Sequence, residues 1–379
     1  MGITLHWFLP TSGDSRNVVP GVGGHGRPAS IDYLAQIARA ADHLGFDAVL
    51  TPTGTWCEDA WLVTSVLSQH TARLRFLVAF RPGITNPTLA AQQAATFQRL
   101  TNGRLLINIV TGGDAFEQRR FGDWLSHDER YARTDEFLKI LRGAWSGAPF
   151  DFEGWHYKVR GAATMAPPDP IPEVFFGGAS SVAEDVAARN VDVYLLWGEP
   201  PEMARERIER VREKAAAQDR TIRFGMRLHV ITRDTEHEAW AEATRLLDTM
   251  DPTLIDAAQQ LLKSSESVGQ QRMRSLHHGS RDDLEVSPNL WAGIGLVRPG
   301  AGTALVGSHE QVAERIFEYH QLGLDEFILS GHPHLEEAYA VGEGVLPRLT
   351  RAVAGPSRTE SLAAPWGVRH LTATPATVR

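Results

Sequence analysis

Two cationic side chains alternate with apolar ones in the stretch GMRLHVITR, residues 225–233. If this stretch is a β-strand, its apolar side chains share one face, whereas Arg227 and His229 share the other. The cationic face then points either to solvent or to a negatively charged ligand. Arg298 lies among glycines and apolar residues, where it would pair with a carboxylate or point at an anion. Arg227 and Arg298 together could hold a sulfonate, a carboxylate or a phosphate.

Other polar residues follow apolar stretches in a way that suits ligand binding. The segment FFGGASSVAEDVAARN runs from a strand through glycines into a helix, an arrangement that presents backbone N–H groups to phosphate. Ser180 and Ser181 would add hydroxyl donors, although Ser181 with Glu184 also fits a helix capping box. Asn108 interrupts the apolar stretch LLINIVTG and needs a partner, which is either backbone in the core or a ligand.

Cysteine and histidine positions suggest two further kinds of site. Cys57 is the only cysteine, so an internal disulfide is excluded. An isolated thiol is typical of a small core residue, and a reactive one would need a lowered pKa. His332 and His334, with His229, suggest a metal site, but no carboxylate joins them at a recognisable ligand spacing. No metal is therefore predicted.

These residues must be positioned by elements that the sequence pattern predicts. The chain contains eight apolar, strand-like stretches: ITLHWFLP, DAVLTPTG, RLRFLVAF, RLLINIVTG, EVFFGGAS, DVYLLWGEP, GMRLHVITR and DEFILSG. Amphipathic helices fall between them, such as SIDYLAQIARAADHLG, which Gly45 closes. This alternation favours a TIM (β/α)₈ barrel with insertions, and the alternative is a doubly wound open sheet. Near the C-terminal ends of the strands, where barrels carry their sites, fall Cys57, Thr111, Trp197, His229 and His332.

Length and composition fit one globular unit. A single barrel is predicted over residues 1–353, with insertions at about 112–130, 147–172 and 251–300 and a C-terminal tail at 354–379 that suits an interface between subunits. The net charge of -8 provides no basic surface for nucleic acid or an anionic membrane. The N-terminus lacks a signal-peptide pattern and no apolar run is long enough for a membrane span, so a cytoplasmic location is expected.

Motifs along nearly the whole chain resemble one family. They are WFLPTSGD, CEDAWLV, RLRFLVAFRP, NGRLLINIVTGGD, HDERY, FGGASS, WGEPPE, IRFGMRLHVI, SPNLWAGIGLVRPGAGTALVG and SGHPHLEEAY. Their order is similar to that in the flavin-dependent alkanesulfonate monooxygenases of the bacterial luciferase-like superfamily. The resemblance implies a luciferase-like barrel that receives reduced FMN from a separate NAD(P)H-dependent flavin reductase. It further implies a homodimer or homotetramer that uses dioxygen to cleave an organosulfonate into sulfite and an aldehyde.

The resemblance also implies roles for individual residues. Arg227, Arg298 and Trp197 would bind the sulfonate, His229 would assist proton transfer and anion binding, and Cys57 would lie beside the flavin. The positions implied for FMN are Asn108 and Thr111 at the isoalloxazine ring and Tyr131, Ser180 and Ser181 at the phosphate. A segment at about 251–284 corresponds to a mobile lid, which suits a reaction that must be shielded from water.

One position departs from the family pattern. His332 stands where the alkanesulfonate enzymes usually have a tyrosine, so it joins His229, Arg298 and Cys57 as a candidate catalytic residue and also as a substrate contact. A more polar pocket favours a hydroxylated substrate, and the set resembles the sulfoquinovose monooxygenase branch. Three alternatives stay open: a monooxygenase of linear alkanesulfonates, a deazaflavin-dependent hydride-transfer enzyme and a non-catalytic flavin-binding protein.

Overall fold

A computed structural model describes residues 2–19 and 26–354, with side chains described as far as residue 350. The β-strands are β1 Thr4–Phe8, β2 Ala48–Thr51, β3 Arg75–Phe80, β4 Leu105–Ile109, β5 Phe150–Glu153, β6 Lys158–Ala162, β7 Val174–Gly177, β8 Val193–Trp197, β9 Arg223–Arg233, β10 Glu285–Ser287, β11 Leu290–Trp291, β12 Ala304–Ser308 and β13 Glu326–Ser330. The α-helices are α1 Ile31–Leu44, α2 Ala60–Leu67, α3 Pro87–Thr101, α4 Ala115–Arg120, α5 His127–Ala144, α6 Ser181–Asn190, α7 Pro201–Ala216, α8 Glu236–Asp248, α9 Pro252–Lys263, α10 Val268–Ser275, α11 His309–Gln321, α12 His334–Tyr339 and α13 Leu346–Ala354.

Eight parallel strands close into a barrel. Strands β1, β2, β3, β4, β7, β8, β9 and β13 pair in this order, and β13 pairs with β1 to complete the ring. Each of the eight predicted apolar stretches contains one of these strands. The predicted TIM barrel is therefore confirmed, and the alternative of an open doubly wound sheet is wrong.

The two faces of the barrel strands have different surroundings. One face packs against the surrounding helices in the main hydrophobic core, which includes Trp7, Phe76 and Met226. The other face forms a smaller apolar layer inside the barrel, built from Ala48, Leu50, Leu77, Ala79, Leu106, Phe175, Val193, Leu195 and Ile328. Because both faces are buried, the strands are apolar along nearly their whole length.

Helix ends follow local sequence signals. At the start of α1, the Ser30 side chain accepts a hydrogen bond from the backbone N–H of Tyr33. At its end, Gly45 takes the left-handed conformation with φ 90°, which glycine adopts without strain. The helix therefore stops where the sequence predicts, and β2 begins three residues later.

Strand β9 extends past the end of the barrel. Its residues 223–227 pair with β8, and its residues 229–233 pair with β12. The N–H of His229 donates to the carbonyl of Thr303, just before β12. Beyond the end of β8, β12 therefore pairs with the same edge of β9. Strand β12 and its antiparallel neighbours β11 and β10 form a side sheet that the sequence analysis did not predict.

The predicted insertions contain ordered elements. The region 112–130 includes α4, and the region 147–172 holds the antiparallel hairpin β5–β6. The region 251–300 contains α9, α10 and the strands β10 and β11. The predicted tail lies outside the described residues from 355 onward. Within the part of the chain that the structure describes, every helix is too short or too polar to cross a membrane.

Candidate active site

Arg227 and His229 point into the barrel rather than to solvent. The neighbouring residues Met226, Leu228 and Val230 belong to the core between strands and helices, so the alternate face of β9 must look inward. Strand pairing puts the residues aligned with Arg227 and His229 on that same inner face: Trp197, Ile328 and Ser330. The solvent-facing interpretation of the two cationic residues is therefore wrong.

The Arg227 guanidinium has polar partners but, among the residues that the structure describes, no carboxylate counter-ion. Nη1 donates to the carbonyl of Leu228 at 2.6 Å, and Nη2 donates to the hydroxyl of Ser330 at 2.8 Å. The guanidinium carbon lies 4.7 Å from the ring centre of Phe8, in a cation–π contact. Burial, with the nearby charge of Arg298, lowers the pKa of Arg227 to about 9.

Arg298 is a second cation with no carboxylate partner in the part of the chain that the structure describes. It follows a short 3₁₀ turn, and its N–H donates to the carbonyl of Ile294. Burial lowers the pKa of Arg298, and only the negative charge of Asp14 opposes this shift. Arg227 and Arg298 are deeply enclosed and yet keep partly exposed side chains, as residues do when they line an interior pocket.

Other buried arginines in the described chain form ion pairs with carboxylates. Arg81 pairs with Glu117 at 2.5 Å, Arg133 pairs with Asp123 at 2.5 Å, and Arg207 pairs with Glu199 at 3.1 Å. Among the residues that the structure describes, neither Arg227 nor Arg298 has a carboxylate within 4 Å. Their charges are left for a ligand, because an unpaired buried charge is strongly disfavoured.

His229 and His332 complete the group of cationic or polar side chains. Nδ1 of His229 lies 2.8 Å from the Ser330 hydroxyl, and the His229 ring stacks on the His332 ring at 5.5 Å. Burial lowers the pKa of both imidazoles well below 6.5, and Arg227 and Arg298 lower each further. Both histidines are therefore neutral at pH 7. We call this group the cationic pocket: Trp197, Arg227, His229, Arg298 and His332.

Asp14 is a buried carboxylate beside this pocket that the sequence analysis missed. Its Oδ1 lies 2.8 Å from Nδ1 of His334, while its Oδ2 accepts from the His334 N–H at 2.7 Å and the Tyr33 hydroxyl at 2.5 Å. These bonds lower the pKa of Asp14 to about 2, against the effect of burial. The only sequence signal was its place in WFLPTSGD, just after β1.

Asp14, His332 and His334 have the spacing of a metal site, since one ligand atom from each lies within 4.8 Å of the others. Two features disfavour a cation there. Both Asp14 oxygens already accept hydrogen bonds, and Arg298 and Arg227 act on both histidines as positive charges. The arrangement is that of a hydrogen-bonded network beside an anion pocket.

The third insertion packs over the mouth of this pocket. Gly269 of α10 lies so close to the Trp197 indole that a Cβ there would approach it to 3.1 Å. Arg272 of α10 donates to the buried Glu199 at 2.6 Å, and Glu266 pairs with Arg130 at 3.0 Å. The segment implied as a lid therefore contacts both the end of β8 and α5.

The residues implied for a phosphate group lie at the start of α6, after β7, and on α5. Ser180 caps α6 by accepting from the Ala183 N–H, so the predicted capping box of Ser181 with Glu184 is wrong by one residue. Glu184 instead pairs with Arg210 at 2.6 Å. The Tyr131 phenol adjoins Ser180, and burial raises its pKa to about 12, so it stays a neutral donor.

Asn108 and Thr111 occupy the end of β4. Asn108 aligns with Phe175 of the inner layer and is buried, and its side chain has no hydrogen-bond partner among the described residues. The interpretation that Asn108 bonds to core backbone is therefore wrong. Thr111 is buried, and its hydroxyl lies 3.5 Å from that of Thr134. Asn108 thus offers a free amide to the barrel interior.

Cys57 lies apart from the cationic pocket in its contacts. Its thiol points to the carbonyls of Pro52 and Gly54, each at 3.7 Å. Burial raises the pKa of Cys57 to about 11, and the charges that act on it are those of Glu117, Arg81 and Asp59. The thiol is therefore protonated at pH 7, and a role as a nucleophilic thiolate is not supported.

A surface cavity of about 530 Å³ lies at the opposite end of the barrel. Its lining includes Arg104, which precedes β4 and donates to the carbonyls of Ser68, Thr71 and Leu74. The charge of Arg104 is already used by the protein, and catalytic groups of such barrels gather at the C-terminal ends of the strands. The cationic pocket remains the candidate site.

The luciferase-like monooxygenase family model matches residues 3–326. The fold is similar to a riboflavin lyase (RcaE) solved with modified FMN and riboflavin, with TM-score 0.80, 20% identity, and 94% of this chain and 93% of that chain covered. It is also similar to an EDTA monooxygenase (EmoA) from Chelativorans sp. BNC1, with TM-score 0.73, 19% identity, and 94% of this chain and 95% of that chain covered. A third similar structure is DmoA from Hyphomicrobium sulfonivorans, with TM-score 0.76, 21% identity, and 93% of this chain and 89% of that chain covered. At these identities the three solved structures bear on the fold alone.

Proposed function

The chain belongs to the luciferase-like monooxygenase family, and we propose that it is a two-component monooxygenase that uses reduced FMN and dioxygen to cleave the carbon–sulfur bond of an organosulfonate. The products are sulfite and an aldehyde, and a separate NAD(P)H-dependent flavin reductase supplies the FMN. Within this class we propose a sugar sulfonate, sulfoquinovose, as the substrate. The assembly proposed with it is a homodimer or homotetramer.

The observation that carries this proposal is the pair of unneutralised guanidinium groups inside the barrel. Arg227 and Arg298 each influence the pKa of both His229 and His332, so all four side chains lie close to one space. An anion in that space supplies the counter-charge that the described residues lack. Hydrogen bonds to a charged group contribute about 1.5–3 kcal/mol each, which makes this pair the main source of binding energy.

A sulfonate suits a pocket whose groups are mainly hydrogen-bond donors. It remains fully ionised at neutral pH and presents three acceptor oxygens with no proton of its own. Arg227 and Arg298 supply charged donors, and the neutral His229 adds an N–H without adding a further buried charge. The indole of Trp197, aligned with Arg227 on the next strand, forms the wall beside them.

Polar groups at the start of α6, on α5 and at the end of β4 suit FMN, although the Ser180 hydroxyl also caps α6 and the Ser181 hydroxyl also accepts from Lys214 Nζ at 3.3 Å. The neutral phenol of Tyr131 and the hydroxyls of Ser180 and Ser181 would hold the phosphate, and the unpartnered Asn108 would meet the ring, with Thr111 beside it. A Cβ at Gly178 would lie 2.6 Å from the Cβ of Ala183 and 3.0 Å from the Tyr131 oxygen, so the close approach of this loop to α6 and α5 requires glycine. Bound there, reduced FMN would supply the electrons for the reaction with dioxygen.

The protein's own groups would bind the substrate and exclude water. The insertion that carries Gly269 covers Trp197, which limits access from solvent above the sulfonate. His332 offers a buried Nε2 with no partner in the described chain, and a neutral imidazole can donate to or accept from a hydroxyl group. A hydroxylated carbon skeleton would satisfy this atom, which supports a sugar sulfonate over a linear alkanesulfonate.

Sulfite release tests the proposal. The protein is incubated with a flavin reductase, FMN, NADPH and air, with sulfoquinovose and octanesulfonate offered in parallel. We expect sulfite from both reactions at unequal rates, with sulfoquinovose the better substrate and no sulfite under nitrogen. Faster sulfite release from octanesulfonate would contradict the sugar sulfonate and indicate a monooxygenase of linear alkanesulfonates. An absence of sulfite from every sulfonate would contradict it and leave a hydride-transfer or non-catalytic protein.

A further inference from the structure

The hydroxyl of Ser330 joins the two cationic residues of β9. Ser330 is the last residue of β13, is fully buried, and aligns with His229 on the inner face of the barrel. Its oxygen lies 2.8 Å from Nη2 of Arg227 and 2.8 Å from Nδ1 of His229. No other polar atom of the described chain hydrogen-bonds to this hydroxyl. Ser330 was not among the residues that the sequence indicated.

The direction of both hydrogen bonds follows from the chemistry of the three groups. A guanidinium has only donors, so Arg227 must donate to the Ser330 oxygen. The hydroxyl proton then has a single acceptor within reach, the Nδ1 atom of His229. Any other orientation would leave a buried hydroxyl proton without a partner, which costs about 1–3 kcal/mol. With Nδ1 acting as the acceptor, a neutral His229 must carry its proton on Nε2.

We propose that Ser330 is a positioning residue that fixes His229 in the Nε2–H form, so that His229 offers the pocket a hydrogen-bond donor. The same hydroxyl holds Arg227, whose guanidinium is held from the other sides by the Leu228 carbonyl and the Phe8 ring. The donor therefore does not depend on protonation of His229. The structural part of this inference stands on the described contacts alone, and its value for sulfonate binding rests on the proposed function.

Without the Ser330 hydroxyl, His229 should no longer be restricted to the Nε2–H tautomer. In Ser330→Ala, Nδ1 of His229 loses its donor, and the Nδ1–H and Nε2–H forms compete. If the two forms become equal, half of the molecules present an acceptor to the anion, and the apparent dissociation constant rises about twofold. A larger shift toward Nδ1–H gives a proportionally larger loss. Ser330→Thr keeps a hydroxyl at the same place and should keep the wild-type tautomer.

The experiment records the ¹⁵N signals of the imidazole nitrogens in the full chain labelled at histidine, with His229 assigned by comparison with His229→Gln. Wild type and Ser330→Thr should show a protonated Nε2 and a bare Nδ1, and Ser330→Ala should show a mixture or the reverse. Ser68→Ala is the matched control, because Ser68 is also buried and donates to the Ser65 carbonyl far from the pocket. It should leave the His229 signals unchanged.

Two results would overturn the inference: a protonated Nδ1 in the wild type, or an unchanged tautomer in Ser330→Ala. If Ser330→Thr does not fold because of its added methyl group, the comparison of wild type, Ser330→Ala and Ser68→Ala still tests whether Ser330 sets the tautomer of His229. Calorimetric titration with inorganic sulfate then measures the anion affinity, which should fall at least about twofold in Ser330→Ala alone. If the protein releases no sulfite from any sulfonate, the tautomer result still stands or falls by itself, which separates this inference from the proposed function.

Discussion

Asp14 accepts hydrogen bonds from both the ring and the backbone of His334, a residue 320 positions later in the chain. The contact fixes the loop after β1 to the start of α12, at the edge of the cationic pocket. Within the described part of the chain, Asp14 is also the one acidic residue whose charge raises the pKa of Arg298. It thus places one negative charge near Arg298 without forming an ion pair with it.

Asp14→Asn should destabilise the protein. The folded state lowers the pKa of Asp14 from 3.8 to about 2, which corresponds to about 2 kcal/mol of stability at pH 7, lost as the pH falls from about 4 to 2. Urea unfolding at pH 7 measures the loss. Because the two residues act as one unit, Asp14→Asn with His334→Gln should cost much less than the sum of the single changes. Additive costs would show that the contact contributes nothing.

Arg298→Ala and Arg227→Ala should each weaken anion binding strongly. Each change removes a charged donor worth about 1.5–3 kcal/mol, so sulfate affinity should fall about 10- to 150-fold, with a similar loss in kcat/KM for sulfite release. Both proteins should remain folded, since the wild-type side chains carry unneutralised charge. Arg160→Ala, on the exposed hairpin, is the control and should change neither quantity. Unchanged affinity in both pocket variants would remove the basis of the proposed function.

Much of the barrel could be predicted from the sequence because its strands are buried on both faces. An apolar run such as RLRFLVAF is visible without knowledge of its neighbours, and so is the Gly45 helix stop. Strand β12 was missed because its five residues follow a glycine-rich segment and pair outside the barrel ring, with the extension of β9 and with the short strand β11. The hairpin β5–β6 was missed because its exposed positions carry charged residues.

The site was predictable only in part, because some of its residues act through contacts between distant parts of the chain. Arg227, His229 and Trp197 could be found because they are polar or bulky residues at strand ends. Asp14 and Ser330 lie in the motifs WFLPTSGD and SGHPHLEEAY, but a loop aspartate and a strand-end serine are too common to indicate a role by themselves. Their roles arise from hydrogen bonds across 320 and 101 residues of chain, which strand closure creates and local sequence pattern does not report.

Glu199→Gln should loosen the insertion over the pocket. Glu199 is buried between Arg207 and Arg272, so loss of its charge leaves two cations unpaired and should cost about 3–5 kcal/mol. Arg272→Ala should cost less, because the pair of Glu199 with Arg207 remains. Limited proteolysis should cut residues 251–284 faster in both variants than in wild type. Glu310→Gln is the control, since its exposed pair with Arg348 lies outside the insertion and should contribute little.

His332→Tyr should change substrate preference. The variant replaces an imidazole that can donate or accept by a phenol in the position usual for alkanesulfonate enzymes. The ratio of kcat/KM for sulfoquinovose to that for octanesulfonate should fall by up to about tenfold, the value of one neutral hydrogen bond. Sulfate affinity should change little because Arg227 and Arg298 remain. An unchanged ratio would show that His332 does not contact the part of the substrate in which the two sulfonates differ.

Stability should fall as the pH drops below about 6.5, and an oxyanion should oppose this fall. Burial holds the pKa values of His229, His332 and His334 below 6.5, and Arg227 and Arg298 lower all three further, while Asp14 partly opposes this at His332 and His334. Below pH 6.5 the unfolded chain takes up protons that the folded chain does not, so the free energy of unfolding falls by up to about 1.4 kcal/mol per histidine per pH unit.

Thermal unfolding between pH 5 and 8, with and without sulfate, tests this dependence. Sulfate adds negative charge beside the imidazoles and favours their protonation, so it should stabilise the protein more at pH 5.5 than at pH 7.5. His229→Gln and His332→Gln should each flatten the pH dependence, because a neutral amide replaces a group that titrates on unfolding. A sulfate effect that is equal at both pH values would show that the anion binds away from these histidines.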